Sequence, residues 1–216
     1  MLKAREWYKE LKVEKTLKAL RKNGFEALYA STKEEAVSKV LDLVAPGAVV
    51  GLGGSVTLRE MGVPDLLRSR GHEVADHWEA GRRGASGDEV MEIRRRQINS
   101  DVFITSTNAV TEKGELINID GGGQRVAAMI FGPKKVVVVA GVNKIVGDLD
   151  EGLKRVRNVA APMNAKRLNR KTPCAVTGVC SDCDSEDRIC GATTIIQRKL
   201  RNTDTTIILV GEKLGY

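Results

Sequence analysis

Hydrophobic and polar positions along the chain follow two different periods. Apolar residues recur every three or four positions in several stretches, which predicts amphipathic helices. These helical stretches are 13–24, 33–44, 56–62, 87–100 and 148–162. Between them lie short apolar runs that predict strands. The runs are 25–30, 48–52, 72–77, 101–108, 134–141 and 205–210.

The alternation of these elements predicts the fold class. The run "KKVVVVAG" is continuously apolar, as expected for a strand that is buried on both faces. Strands alternating with helices are typical of an α/β fold with an open, mostly parallel sheet and helices on both faces. The segment "TEKGELINI" predicts a hairpin after the strand at 101–108. We expect residues 1–24 to form a helical arm and residues 25–216 a single α/β domain.

Several residues mark helix ends. Thr32 followed by Glu35 is a capping box for the helix that begins there. Ser55 is placed to cap the next helix. The helix that starts near residue 148 is predicted to end near Pro162, because proline lacks the N–H that a helix interior requires.

Composition and charge narrow the function classes. The 216 residues carry a formal net charge of +7, but acids alternate with most of the basic residues, as on solvated helix faces. Only Arg94–Arg96 is a concentrated basic cluster, and no aromatic residues accompany it to stack bases. We therefore expect no nucleic acid as a partner. With no apolar run of membrane-spanning length and no signal peptide, we expect a cytoplasmic protein without membrane contact.

Two glycine clusters follow predicted strands, "GLGGSVT" at 51–57 and "DGGGQR" at 120–125. In open α/β sheets ligands bind at the carboxyl ends of strands, where glycines allow close approach of the backbone. The clusters therefore predict a cleft for a small anionic metabolite, although tight strand-to-helix turns alone would also explain the glycines. The predicted ligand-binding residues are Gly53, Gly54, Ser55, Thr57, Asn108, Gly122 and Gly123.

All four cysteines lie in "PCAVTGVCSDCDSEDRIC", residues 173–190. In a reducing compartment, grouped thiols indicate a metal site before a disulfide. Unequally spaced cysteines in one loop favour a [4Fe–4S] cluster, with structural zinc as the alternative and free thiols or disulfides as a third. The predicted metal ligands are Cys174, Cys180, Cys183 and Cys190.

Several stretches together resemble the lactate-utilisation (LUD) domain family in its short, stand-alone form. They are "GLGGSVTLREMG", "DVFITSTNAVTEKGELINIDGGGQRVAAMIFGPKKVVVVAGVNKIV", "RVRNVAAPMNAKRL", "PCAVTGVCSDCDSEDRIC" and "ILVGEKLGY". The resemblance implies a fold similar to that of ribose-5-phosphate isomerase, glucosamine-6-phosphate deaminase and CoA transferases. Some members of the family belong to a complex that oxidises L-lactate to pyruvate, in which sister subunits carry iron–sulfur clusters, so the resemblance implies the fold more directly than the reaction.

The chain departs from the catalytic strip of the related isomerases. Residues 105–109 contain no acid, Asp120 stands where a lysine is expected, and "RVAAM" contains no glutamate. Proton abstraction needs a positioned carboxylate, so isomerase chemistry is disfavoured.

Three functional hypotheses follow. The first is an iron–sulfur electron-transfer or accessory component of 2-hydroxy-acid oxidation, working with redox partner subunits. The second is a non-catalytic metabolite-binding or redox-sensing module with a zinc or cluster site. The third is a hydrolase or transferase with Glu112 or Glu115 as base. Homo-oligomerisation is compatible with each. His72 and His77, the two histidines, are expected to have a structural or surface role.

Overall fold

The computed structural model describes residues 2–216, which form ten strands arranged in two sheets. The strands are β1 (Glu26–Ala30), β2 (Val49–Leu52), β3 (Glu73–Ala75), β4 (Val102–Thr105), β5 (Ala109–Thr111), β6 (Leu116–Asp120), β7 (Lys135–Gly141), β8 (Ile145–Val146), β9 (Ala192–Ile196) and β10 (Asp204–Val210). The main sheet has six strands in the order β1-β10-β7-β4-β2-β3, and all its pairings are parallel. The predicted open parallel α/β sheet is confirmed.

Helices precede or follow most of these strands. The α-helices are α1 (Leu2–Lys22), α2 (Lys33–Asp42), α3 (Val56–Glu60), α4 (Val63–Ser69), α5 (His77–Arg82), α6 (Gly87–Ile98), α7 (Gln124–Ile130), α8 (Leu149–Arg155), α9 (Ala161–Arg167) and α10 (Pro173–Thr177). A 3₁₀ turn (Val142–Lys144) follows β7, and a π-helical turn (Val156–Ala160) joins α8 to α9.

The main sheet is buried on both faces. Along β7, Val137 and Val139 pack into one cluster with α2, α3 and α4, whereas Val136 and Val138 pack into a second. Successive side chains of a strand point to opposite faces, so a run of valines supplies both layers. The continuous apolar run in the sequence is thereby explained.

The first helix contributes to the second of these clusters. Val13, Leu17 and Leu20 of α1 are buried there, beside Phe25 and Phe103. Their spacing of three and four residues places them on one face of the helix. The N-terminal helix therefore covers part of the main sheet.

A second sheet of four strands, in the order β8-β5-β6-β9, was not predicted. Its β5 and β6 are antiparallel and form the predicted hairpin. Strand β9 pairs antiparallel with β6 directly after the cysteine-containing segment. Strand β9 was not among the predicted strands; residues 192–196 form it by pairing with the edge of β6.

The predicted helix end near Pro162 is wrong. Through the π turn the helix continues from α8 into α9 and ends at Arg167. Pro162 lies just after the π turn, and the widened turn accommodates its ring and its missing N–H within the continuing helix. The wider turn thus lets the chain pass a proline without ending the helix.

The side-chain caps at Thr32 and Ser55 are confirmed, but the return bond of the predicted capping box is not formed. Thr32 Oγ1 accepts a hydrogen bond from Glu35 N at 3.2 Å, and Ser55 Oγ accepts one from Leu58 N at 3.3 Å. The carboxylate of Glu35 bonds to the backbone and hydroxyl of Ser31 rather than to Thr32. None of the helices described in residues 2–216 has the length and apolarity needed to cross a bilayer.

Candidate functional site

A cleft of about 1040 Å³ lies at the carboxyl edge of the main sheet. Four neighbouring strands lead into it, since Ser55 follows β2, His77 follows β3, Ser106 follows β4 and Lys144 follows β7. The opposite wall comes from the end of β6, from α7 and α9, and from residues 186–189. This is the edge at which open parallel sheets bind ligands.

The lining of the cleft is predominantly basic. Its acidic members are Asp65, Asp120, Glu186 and Asp187. Its basic members are Arg59, Arg82, Arg94, Arg125, Lys144, Arg167, Arg170 and Arg188. Positive charges that line a concave site add up to a strong positive potential inside it. The cleft therefore attracts anions.

Lys144 lies at the floor of the cleft and is 3% exposed. Its Nζ donates to Thr57 Oγ1 and to Ser106 Oγ, each at 2.9 Å. No carboxylate pairs with it among residues 2–216. Burial, followed by the charges of Arg155 and Arg125, lowers the pKa of Lys144 to about 7 against the weaker influence of Glu60.

Arg125 of α7 holds the wall of the cleft together. Its guanidinium donates to Asn118 Oδ1 at 2.7 Å, to Asn108 Oδ1 at 3.2 Å and to the carbonyl oxygen of Ile119 at 2.7 Å. Asp120 lies 3.6 Å from Arg125 Nε. Burial lowers the pKa of Arg125, although the nearby carboxylate opposes this. Most of its donors are occupied, so Arg125 shapes the hairpin and adds positive potential.

His77 lines the cleft as a neutral imidazole. Gln97 Nε2 donates to the carbonyl oxygens of Leu52 and Ala75, which orients the amide, and the same nitrogen lies 2.8 Å from His77 Nδ1. Burial and the charge of Arg94 lower the pKa of His77 to about 4.

Trp78 forms one side of the cleft between two arginines. The guanidinium of Arg167 lies 4.2 Å from its ring centroid and that of Arg59 lies 5.6 Å away. Cations over an indole are attracted by its quadrupole. Arg59 also forms a two-pronged ion pair with the buried Asp76, at 2.7 and 2.6 Å.

The cysteine-containing segment is folded back on itself by side chain-to-backbone bonds. Lys171 N donates to Asp187 Oδ2 at 2.8 Å, and Ser185 Oγ donates to the Lys171 carbonyl oxygen at 3.0 Å. The guanidinium of Arg188 donates to the carbonyl oxygens of both Cys183 and Cys190. The start, middle and end of the segment are therefore held together.

The four cysteines are unpaired and partly buried. Burial raises the pKa of Cys190; Arg188 opposes this, and the charges of Cys180, Cys174 and Cys183 raise it further. Cys190 thus lies within electrostatic range of the other three thiols. Among the described residues, however, no three cysteine, histidine or acidic side chains are arranged to hold a metal ion. The donors are in one neighbourhood but are not drawn together around one point.

The family model of the LUD domain matches residues 13–210. The chain belongs to the LUD domain family. A crystal structure of a DUF162 family protein from Deinococcus radiodurans superposes on this LUD protein with a TM-score of 0.54 and 11% sequence identity. The alignment covers 94% of this chain and 98% of the other, which shows that the two share a fold. No curated protein matches the sequence.

The structure brings most of the predicted ligand-binding residues of the LUD protein together. Gly54, Ser55, Thr57, Asn108 and Gly122 line the cleft. Two others do not. Gly53 lies against Thr105 of β4, and Gly123 precedes α7 with its N–H bonded to Asp120 Oδ1.

Neither proposed glutamate base lies in the cleft. Glu112 pairs with Lys12 and Lys15 of α1, and Glu115 accepts from Thr111 Oγ1. The hypothesis of a hydrolase or transferase that uses these carboxylates is therefore wrong, because the hairpin turns them away from the strand ends.

Sequence reasoning missed Lys144, Arg125 and His77. Lys144 follows a strand with no glycine cluster, and Arg125 was read only as the end of "DGGGQR". The signal for His77 was its position at the end of a predicted strand, which is where the ligand-binding edge lies. Of the basic cluster, Arg94 lines the cleft, whereas Arg95 and Arg96 pair with Glu92 and Glu73.

Proposed function

We propose that this LUD protein is an electron-transfer or accessory component in the oxidation of a small 2-hydroxy acid such as lactate. In this proposal the cleft binds the anionic metabolite, and the four cysteines hold a [4Fe–4S] cluster. The observation that carries it is the continuity of the two sites. Residues 186–189, between Cys183 and Cys190, form part of the cleft wall.

The charge and polarity of the cleft support an anionic ligand. A 2-hydroxy acid presents a carboxylate and a hydroxyl group, which match the basic lining and the hydroxyls of Ser55, Thr57 and Ser106. The cleft is much larger than a three-carbon acid. It therefore has room for a second group, such as a redox cofactor or part of a partner subunit.

The chemistry of the sulfur donors fits a cluster. Cys174, Cys180, Cys183 and Cys190 supply the four thiolates that [4Fe–4S] ligation requires, and Arg188 links the backbone at two of them. Mutual repulsion of four thiolates is relieved by a bound cation. When bound, a cluster supplies one-electron transfer. Oxidation of a 2-hydroxy acid releases two electrons, so the proposal includes a redox partner subunit that accepts them.

A metal analysis tests the cysteine site. Protein purified without oxygen should be brown, with a broad absorption band near ~400 nm and with iron and sulfide in the protein. Cys183→Ser should lose iron and colour, and Ser181→Ala, a neighbouring substitution that removes no thiol, should retain both. Colourless protein with one zinc per chain would overturn electron transfer and leave a structural metal site.

A binding experiment tests the cleft. L-lactate and pyruvate should bind the wild-type protein in isothermal titration calorimetry, and added salt should weaken the affinity. Arg94→Gln should weaken binding because Arg94 lines the cleft. Arg95→Gln is the matched control from the same helix, since Arg95 is exposed and pairs with Glu92. Equal affinity in both variants would contradict the proposed site.

A non-catalytic metabolite-binding or redox-sensing module is the second candidate. One observation favours it, namely that two of the carboxylates that line the cleft, those of Asp120 and Asp187, are engaged by backbone N–H groups. Asp120 accepts from the N–H groups of Gly122 and Gly123, and Asp187 accepts from Lys171 N. Binding without turnover, combined with a zinc-loaded cysteine segment, would favour this function.

A further inference from the structure

The amine of Lys144 has an unusual set of partners for a buried lysine. It lies at the floor of the cleft beside two hydroxyls, and buried lysines are ordinarily paired with a carboxylate. Arg125 and Arg155, the charged groups that act most strongly on it, are both cations. The uncharged form of the amine is therefore more favoured at Lys144 than at a lysine on the surface.

The hydroxyl hydrogens determine how the amine is oriented. Thr57 Oγ1 donates its hydrogen to the Leu214 carbonyl oxygen at 3.3 Å, and Ser106 Oγ donates to the Thr107 carbonyl oxygen, also at 3.3 Å. Both hydroxyls therefore present lone pairs to Nζ and accept its hydrogens. No third polar partner of Nζ occurs among residues 2–216. In the uncharged amine, this third position is the lone pair.

We propose that Lys144 forms an imine with the carbonyl carbon of a small 2-oxo acid bound in the cleft. The ligand class rests on the proposed function, because a 2-oxo acid is the oxidised form of a 2-hydroxy acid. The reactive position follows from the burial of Nζ at the floor of the cleft and from its two hydroxyl partners. Lysines that form imines are generally amines desolvated in a pocket or held near another cation, and Lys144 is both.

The proposed step balances without any further reactant. The Nζ lone pair attacks the carbonyl carbon, a C–N bond forms, and the carbonyl oxygen becomes a hydroxyl. The C–O bond then breaks, and the oxygen leaves as water with the two amine hydrogens, so that one amine and one oxo acid give one imine and one water. Thr57 and Ser106, which each accept one of those hydrogens, are positioned to relay them.

A purely structural role for Lys144 makes a different prediction. In that role the ammonium would only tie the turn after β7 to α3 and to the end of β4 through its two hydroxyl partners. Arginine retains a charge and donors but does not form an imine. Lys144→Arg therefore separates the covalent role from the structural one, and Lys144→Met removes both.

Reductive trapping tests the proposal on the full-length protein. Wild-type protein is incubated with pyruvate and cyanoborohydride, and the product is analysed by intact mass and peptide mapping. We expect one carboxyethyl adduct, on Lys144, which is absent from Lys144→Arg and Lys144→Met. Lys134→Met is the matched control and should be modified as wild type, because this exposed lysine precedes β7 at the opposite edge of the sheet.

Binding of pyruvate is measured separately by calorimetry without the reductant. Failure of the imine proposal can then be distinguished from failure of the proposed metabolite-binding function. Binding without an adduct overturns the imine and leaves the anion cleft standing. Modification spread over surface lysines, or unchanged in Lys144→Arg, also overturns it. Mapping of the wild-type adduct decides the site even if Lys144→Met fails to fold.

Discussion

Gly54 and Trp78 are packed so closely that no side chain fits between them. A Cβ atom at position 54 would lie 2.5 Å from Trp78 Nε1, well inside van der Waals contact. The indole is itself held by Arg167 and Arg59. The glycine of the "GLGGSVT" turn thus sets the position of the aromatic wall of the cleft.

Gly54→Ala should therefore displace Trp78. We expect a loss of about 1–3 kcal/mol in unfolding free energy from overpacking, together with weaker metabolite binding. In a Trp7→Phe background, which leaves Trp78 as the sole tryptophan, the emission maximum should shift. Gly81→Ala is the control, because it also lines the cleft but its Cβ would meet nothing within 4 Å. Unchanged emission in Gly54→Ala would contradict the close packing.

His77 should make stability depend on pH in a defined window. Burial, followed by the charges of Arg94 and Arg59, lowers its pKa to about 4. Asp76 and the hydrogen bond with Gln97 act in the opposite direction but are outweighed. The unfolded histidine has a pKa of about 6.5, so below that value the unfolded chain binds more protons than the folded one. Stability should thus rise from pH 4 to pH 6.5, by up to about 3 kcal/mol from this residue.

Substitution of each histidine in turn isolates this contribution. His77→Gln should flatten the slope of unfolding free energy between pH 4 and pH 6.5, as measured by urea denaturation at several pH values. His72→Gln, at the other histidine of the chain, is the matched control. An unchanged slope in His77→Gln would show that the imidazole is not held neutral.

Asp76 should stabilise the fold mainly through its charge. It is 5% exposed, caps α5 through the N–H groups of Trp78 and Glu79, and pairs with Arg59 and Arg68. Burial acts to raise its pKa, but the arginines and backbone bonds outweigh burial and lower it. Asp76→Asn keeps the cap and removes the charge, so we expect a loss of about 2–4 kcal/mol at pH 7.

The sign of the pH dependence distinguishes this effect from that of His77. Because the folded pKa of Asp76 is lowered, its contribution is present above the unfolded value near 3.9 and is lost as pH falls below it. The difference between wild type and Asp76→Asn should shrink in acid. Asp65→Asn, which breaks an exposed pair with Arg68, should change stability by less than about 0.5 kcal/mol.

Arg188 should affect metal retention rather than global stability. Its guanidinium links the carbonyl oxygens of Cys183 and Cys190 and pairs with Asp182 at 2.8 Å. Arg188→Gln should lower the iron content per chain after anaerobic purification and leave the circular dichroism spectrum unchanged. Arg198→Gln, an exposed arginine beyond β9, is the control. Iron content equal to wild type in Arg188→Gln would rule out this role.

Local features of the sequence predicted local features of the structure. The caps at Thr32 and Ser55 depend on atoms three residues apart, and both are confirmed. The error at Pro162 has the same origin, because the rule that proline ends a helix considers only the neighbouring residues. The π turn that accommodates Pro162 lines the cleft at Ala160. This position depends on residues distant in sequence, so no local sequence pattern predicts it.

The sequence by itself determined the fold class, the family and the grouping of the cysteines, because hydrophobic periodicity and residue spacing are written along the chain. Only the tertiary structure decided that Thr57, Ser106 and Lys144 meet at one point, from segments that follow three separate strands. The lowered pKa values of Lys144 and His77 likewise arise from burial and from charges distant in sequence. Solvation and electrostatic interaction depend on distance in space, so these properties appear only when the chain is folded.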